Sequence, residues 1–169
     1  INNLLKSGAD KVSINSAAVF NPNLISEASN NFGCQCIVLA IDAYKDPKNV
    51  KSGYNVSTHG GKKKTDIDAL EWAVEGEKNG AGEILLTSMN ADGTKLGYDI
   101  ELTSKISTEV DIPVIASGGA GKPIDMVNVL KKGKASAVLA ASIFHFGIYS
   151  IENVKKEMLK YNIPVRKIW

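Results

Sequence analysis

Several common functions are excluded by what this sequence lacks. No apolar run approaches the ~20 residues needed to span a bilayer, so no membrane role is expected. The start, Ile1-Asn2-Asn3-Leu4-Leu5-Lys6, has neither an initiator Met nor a signal-peptide pattern. It reads as the middle of an amphipathic helix, and the chain is expected to begin inside a fold. The only cysteines, Cys34 and Cys36, are too close for an unstrained disulfide and too few for a metal site. They are expected to be reduced core or strand-edge thiols of a cytoplasmic protein, with no metal and no cofactor. The only histidines, His59 and His145, have no Ser, Cys or carboxylate at triad or metal-ligand spacing, which leaves surface or loop roles. A formal charge of +2 is too small to argue for nucleic acid, and the one dense basic run, Lys62-Lys63-Lys64, reads as a solvated loop.

What is present is ordinary globular material: 169 residues, 44% hydrophobic and 22% charged, enough for one domain with a sizeable core. Strands are expected over 11–15, 36–42, 83–88, 113–117 and 137–142. Runs such as Ile37-Val38-Leu39-Ala40-Ile41 and Val114-Ile115-Ala116 are apolar throughout, as in strands buried on both faces of a parallel sheet. Between them lie helix signals. Asn21-Pro22 opens a helix that Gly33 stops, and Asp66 or Asp68 caps 69–78. Asp99 precedes 100–108, Pro123 opens a helix ending near Gly133, and Ser150 caps 151–161. Trp72 falls on the buried face of its helix, while Trp169 is terminal and uninformative. The order is a helix end followed by five βα units, which implies parallel strands with right-handed crossovers. The stretch 44–65 is long for a βα connection, and the alternation from Tyr54 to His59 before Gly60-Gly61 predicts a small hairpin over a strand's C-terminal end.

Chemistry concentrates at the strand ends. Ala116-Ser117-Gly118-Gly119-Ala120-Gly121 joins a buried strand to a helix. Glycines there let backbone N–H groups approach an anion. Ala140-Ala141-Ser142 ends the next strand with small residues and a hydroxyl, a second anion-friendly rim, so phosphate binding is expected. An internal echo aligns Ala9, Val12 and Ser16 with Ala135, Val138 and Ser142, 126 positions apart, and suggests a barrel of two similar halves. Asp42 ends an apolar strand, where it could cap the loop or serve as a general acid or base. Asp92-Gly93 reads on its own as a turn, and Lys11 and Glu83, at strand starts, as solvent-facing charges or a structural ion pair.

In order and spacing, several segments closely resemble the cyclase subunits of imidazole glycerol phosphate synthase. They are Gly8-Ala9-Asp10-Lys11-Val12-Ser13-Ile14-Asn15, Ala40-Ile41-Asp42-Ala43, residues 80–88, residues 92–99, residues 115–121 and residues 140–146. The resemblance implies part of a (β/α)₈ barrel, from the end of the third helix through the eighth, filling 1–169 as a single domain. It implies a bisphosphate substrate, a ribulosyl formimino aminoimidazole carboxamide ribonucleotide. Ammonia from a glutaminase subunit cleaves it to imidazole glycerol phosphate and an aminoimidazole carboxamide ribonucleotide. By the same resemblance Asp42 is one of two catalytic aspartates. Asp92, Gly93, Gly118, Gly119, Ala141 and Ser142 hold one phosphate, and Asn15 and Ser16 hold part of the other. Thr87 and Ser117 line the substrate channel. Lys11 and Glu83 belong to a charged ring where ammonia enters, and Asp10 lies near the partner face.

The family barrel carries three more βα units before Lys11, including the other catalytic aspartate. This sequence is therefore expected to be a fragment, inactive alone, that associates with itself or another half-barrel through its open edges. Three other readings compete: the sister sugar isomerase of the same pathway, a paralogue serving sugar amidination, and a phosphate-binding half-barrel without turnover.

Overall fold

A computed structural model describes residues 1–166; Trp169 lies outside the described residues. In chain order the elements are α1 (Asn2–Lys6), β1 (Val12–Ile14), α2 (Ser16–Phe20), α3 (Asn23–Phe32), β2 (Ile37–Lys45), β3 (Tyr54–Thr58), β4 (Lys63–Asp68) and α4 (Ala69–Lys78). Then follow β5 (Glu83–Ser88), α5 (Ile100–Ser107), β6 (Val114–Ser117), α6 (Pro123–Lys131), β7 (Ala137–Val138), α7 (Ser142–His145) and α8 (Ile151–Lys160).

Strands β1, β2, β5, β6 and β7 pair in parallel, each with the next in that order. That is the neighbour order of a (β/α)₈ barrel. The described sheet is not closed, since β1 pairs only with β2 and β7 only with β6. The apolar strand runs split between two faces. Ile37, Leu39, Ile41 and Ala43 of β2, with Ile84 and Leu86 of β5 and Val114 of β6, are buried against Ile25, Ala28, Trp72, Ala73, Leu102 and Ile106 of the helices. The alternating positions form the inner face of the incomplete barrel, in registered rows. Ser13, Val38 and Glu83 share the lowest row, and Ala40, Leu85, Ile115 and Ala137 the middle one.

The small hairpin expected around Gly60-Gly61 is present, and it adds two antiparallel strands to the otherwise parallel sheet. The segment after Asp42 continues β2 to Lys45, turns, and returns as β3, antiparallel to β2 (Asp42 beside Ser57, Lys45 beside Tyr54), with β4 antiparallel to β3. The N-terminal half of β2 thus pairs with β1 and its C-terminal half with β3. Every residue of β3 is buried, which the alternation of polar and apolar side chains in that segment does not indicate.

Side-chain caps account for the starts of α4, α5 and α8. Asp68, not Asp66, caps α4, accepting from Leu70 N (2.9 Å) and Glu71 N (3.3 Å). Asp99 accepts from Leu102 N, and Ser150 from Asn153 N. At α3, Pro22 itself occupies the cap and the helix starts one residue later than expected, ending as expected at Gly33 with φ +87°. The strand expected over 137–142 stops at Val138, and Ser142 instead heads α7. Cys34–Cys36 form a short 3₁₀ turn before β2, with Cys34 exposed. Lys63 and Lys64 open β4 as exposed residues, Lys64 Nζ lying 4.9 Å from the Tyr44 ring centroid.

Candidate active site

The inner-face row at the C-terminal end of the strands carries the chemistry. Register sets Asp42 of β2 beside Thr87 of β5, and Thr87 beside Ser117 of β6. All three alternate with buried residues facing the helices, so they project together from the inner face. Two strand spacings, about 10 Å, separate Asp42 from Ser117.

Beyond Ser117 a cavity of about 130 Å³ opens, walled by Asp92, Gly93, Lys95, Ser117, Gly118, Gly119, Ala120, Leu139, Ala140, Ala141 and Ser142. Its shape depends on two glycines. Gly118 has φ +89° and Gly119 φ +101°. A Cβ on Gly119 would stand 2.1 Å from Gly97 O, and one on Gly118 2.8 Å from Ser88 O. The loop after β5 is pressed onto the loop after β6, and Gly97 N donates to Gly119 O at 2.8 Å. Next to the cavity, Asp125 of α6 accepts from the N–H groups of Gly121 and Lys122, and Tyr98 OH donates to Leu139 O at 2.9 Å. The first fixes the end of the β6–α6 loop, and the second ties the loop after β5 to the rim beyond β7.

Asp42 is half-buried, and Asn15 Nδ2 donates to its Oδ2 at 3.0 Å. Burial pushes its carboxyl above the usual carboxylate range; the Asn15 hydrogen bond pulls it back and the nearby Asp92 charge adds to the rise. A carboxyl so poised on a rigid strand end can exchange a proton with a ligand lying along the inner-face row. Main-chain support comes from Ser57 Oγ, which donates to Asp42 O at 3.0 Å.

The remaining candidates fall elsewhere. Ser16 begins α2, and its Oγ accepts from His59 N at 2.9 Å, which ties the hairpin turn to the β1 rim. His59 sits in that turn, exposed, with φ +55°, and His145 is exposed on α7. Lys11 and Glu83 form an ion pair at the opposite, N-terminal end of the strands, and Asp10 is exposed beside it. The echo between halves has a structural counterpart: Ser16 and Ser142 each open a short helix directly after a strand rim.

Sequence reasoning missed the two short helices and the cavity residues Lys95 and Leu139, while Ala120 and Ala140 fall within the two rims it singled out. It also missed the Asn15–Asp42 hydrogen bond. Lys95 reaches the cavity only because the loop after β5 folds back onto Gly119 and Gly121, a tertiary contact that no local pattern announces. The Asp92-Gly93-Thr94-Lys95 order was the one available hint.

Among the described residues no cluster of three His, Cys, Asp or Glu side chains could hold a metal ion, and no helix is long and apolar enough to cross a membrane.

Residues 1–150 match the family model described as histidine biosynthesis protein. The chain belongs to this family. It is 58% identical over 166 residues to the imidazole glycerol phosphate synthase subunit HisF of Dehalococcoides mccartyi (strain ATCC BAA-2266 / KCTC 15142 / 195), covering 98% of this chain and 64% of that protein. It is 53% identical over 169 residues to the subunit of the same name from Corynebacterium diphtheriae, covering 98% of this chain and 65% of that one. The chain thus spans slightly less than two thirds of the length of these histidine-biosynthesis relatives.

Proposed function

We propose that this chain carries the phosphate-holding, Asp42-bearing part of an imidazole glycerol phosphate synthase cyclase. The observation that carries the reading is the row Asp42–Thr87–Ser117, which runs directly into the wall of the glycine-lined cavity. One phosphate of an extended bisphosphate sits against Gly118, Gly119 and Ser142, and the body of the molecule crosses Ser117 and Thr87 toward Asp42. Asp42 then moves a proton between the incoming nitrogen and the departing group as the imidazole ring closes. Asn15, bonded to Asp42, and Ser16 beside it stand at the far end of the row from the cavity, where the second phosphate is held.

Ammonia is supplied by a glutaminase subunit docking at the N-terminal end of the strands, near Asp10 and the Lys11–Glu83 pair. The names of the relatives support a multi-subunit enzyme, and the polar pair at the base of the inner face supports an entry for a small polar molecule.

The test supplies this chain with the part of the D. mccartyi relative that it does not match and follows ammonium-dependent ring closure of the bisphosphate. Turnover that falls 10²-fold or more with Asp42→Asn is the expected result for a lost general acid–base group. Turnover unaffected by Asp42→Asn removes the assignment.

A further inference from the structure

Among the described residues that wall the cavity, Asp92 and Lys95 are the only ionisable ones. A phosphate is an anion, and Asp92 by itself repels it. Without a cation the glycine-lined rim would offer backbone dipoles and hydroxyls against a net negative wall. Lys95 is the one described wall residue that can correct that balance.

Its backbone is held for the purpose. Lys95 has φ +59°, in the left-handed region that favours glycine. The conformation is over-determined by its surroundings. Thr94 N donates to Ala91 O (3.1 Å), Leu96 N to Thr94 Oγ1 (3.3 Å) and Gly97 N to Gly119 O (2.8 Å). Lys95 O packs so closely on Gly121 that a Cβ there would lie 2.1 Å away. A strained position occupied by a lysine points to a requirement for its side chain. That side chain rests with Nζ 5.9 Å from the centroid of the Phe146 ring, an exposed aromatic at the end of α7. A ring face is a weak holder for a solvated ammonium on a flexible stem.

We propose that Lys95 is the anion-neutralising and specificity-determining residue of this cavity, parked over Phe146 and drawn onto a phosphoryl oxygen when the ligand arrives. The inference rests on the cavity being a phosphate site, as argued under the proposed function.

Inorganic phosphate binding to the chain, followed by calorimetry at two salt concentrations, tests it. The parent is expected to bind with an affinity that drops as salt rises. Lys95→Met is expected to weaken binding by about tenfold and flatten that salt dependence, while Lys95→Arg recovers most of the loss. Lys95→Gly removes the charge while suiting the φ +59° backbone, and an unchanged thermal melt of this variant separates loss of binding from loss of fold. Lys132→Met, at the far end of α6, controls for overall charge and is expected to bind like the parent. Phosphate affinity of Lys95→Met and Lys95→Gly within twofold of a parent that binds overturns this inference and leaves the phosphate site standing. A parent chain that takes no phosphate overturns both.

Discussion

Asn15 Nδ2 donates to Asp42 Oδ2 at 3.0 Å, joining the rim of β1 to the end of β2. The bond favours the ionised carboxylate, against burial and the Asp92 charge, which oppose it. Replacing Asn15 by Leu removes that support. The expected outcome is a further rise in the Asp42 pKa, read as a shift to higher pH of the acidic limb of the pH–rate profile of the enzyme completed with the unmatched part of the D. mccartyi relative. An unmoved limb would detach Asn15 from the proton-transfer step.

The same raised pKa has a consequence for stability. At pH above the folded pKa, Asp42 is a half-buried charge that costs the fold. As pH falls through that pKa toward the unfolded value of 3.8, the cost disappears. Asp42→Asn is therefore expected to melt higher than the parent at neutral pH. The gain should shrink as pH approaches 3.8, in thermal unfolding across a pH series.

Asp68 behaves in the opposite sense. Burial alone would raise its pKa, but hydrogen bonds from Ser52, Glu71 and Leu70 outweigh it and leave the pKa lowered. Its contribution is present above the unfolded value of 3.8 and is lost as pH falls through the lower, folded one. Asp68→Ala is expected to cost about 1–2 kcal/mol at neutral pH, through the lost cap of α4 and the lost clamp on Ser52 N, and much less at strongly acid pH.

Two glycines of the cavity wall should respond unequally. Gly93, with φ +75° and nothing near its missing Cβ, should tolerate Ala at a conformational cost of about 1–2 kcal/mol. Gly119→Ala drives a methyl into Gly97 O and must separate the loops, so it should cost more and abolish phosphate binding. Chemical denaturation with a parallel binding measurement compares the two.

The edges of the sheet carry a further expectation. β1 and β7 each have one neighbour, and Leu139 (42% exposed), Ile148 (48%) and Ile151 (53%) lie in the β7–α8 region. Unpaired strand edges beside apolar side chains favour association. Sedimentation of this chain at micromolar concentration should show dimers or larger species. A monodisperse monomer would contradict the expectation.

The parallel strands were legible in the sequence because strands covered by helices read as unbroken apolar runs, such as Ile37 to Ile41. The capping residues Asp99 and Ser150 were legible because they stand directly before periodic segments. The short helices α2 and α7 were not, since five and four residues hold too little periodicity to register. The premature end of β7 was hidden for a different reason: Leu139-Ala140-Ala141 is as apolar as any strand. At the site, Gly118-Gly119 and Ser142 could be picked out by composition at strand ends. Lys95 and the Asn15–Asp42 bond arise from loops and strands meeting in space.

Amide-resolved NMR titration of the chain with inorganic phosphate bears most directly on the central claim, that the rims of β6 and β7 form one anion site open toward Asp42. The N–H resonances of Gly118, Gly119 and Ser142 are expected to shift together along one saturating curve, with Gly93 following. Saturation at any other group of residues, with those amides still, would contradict the account.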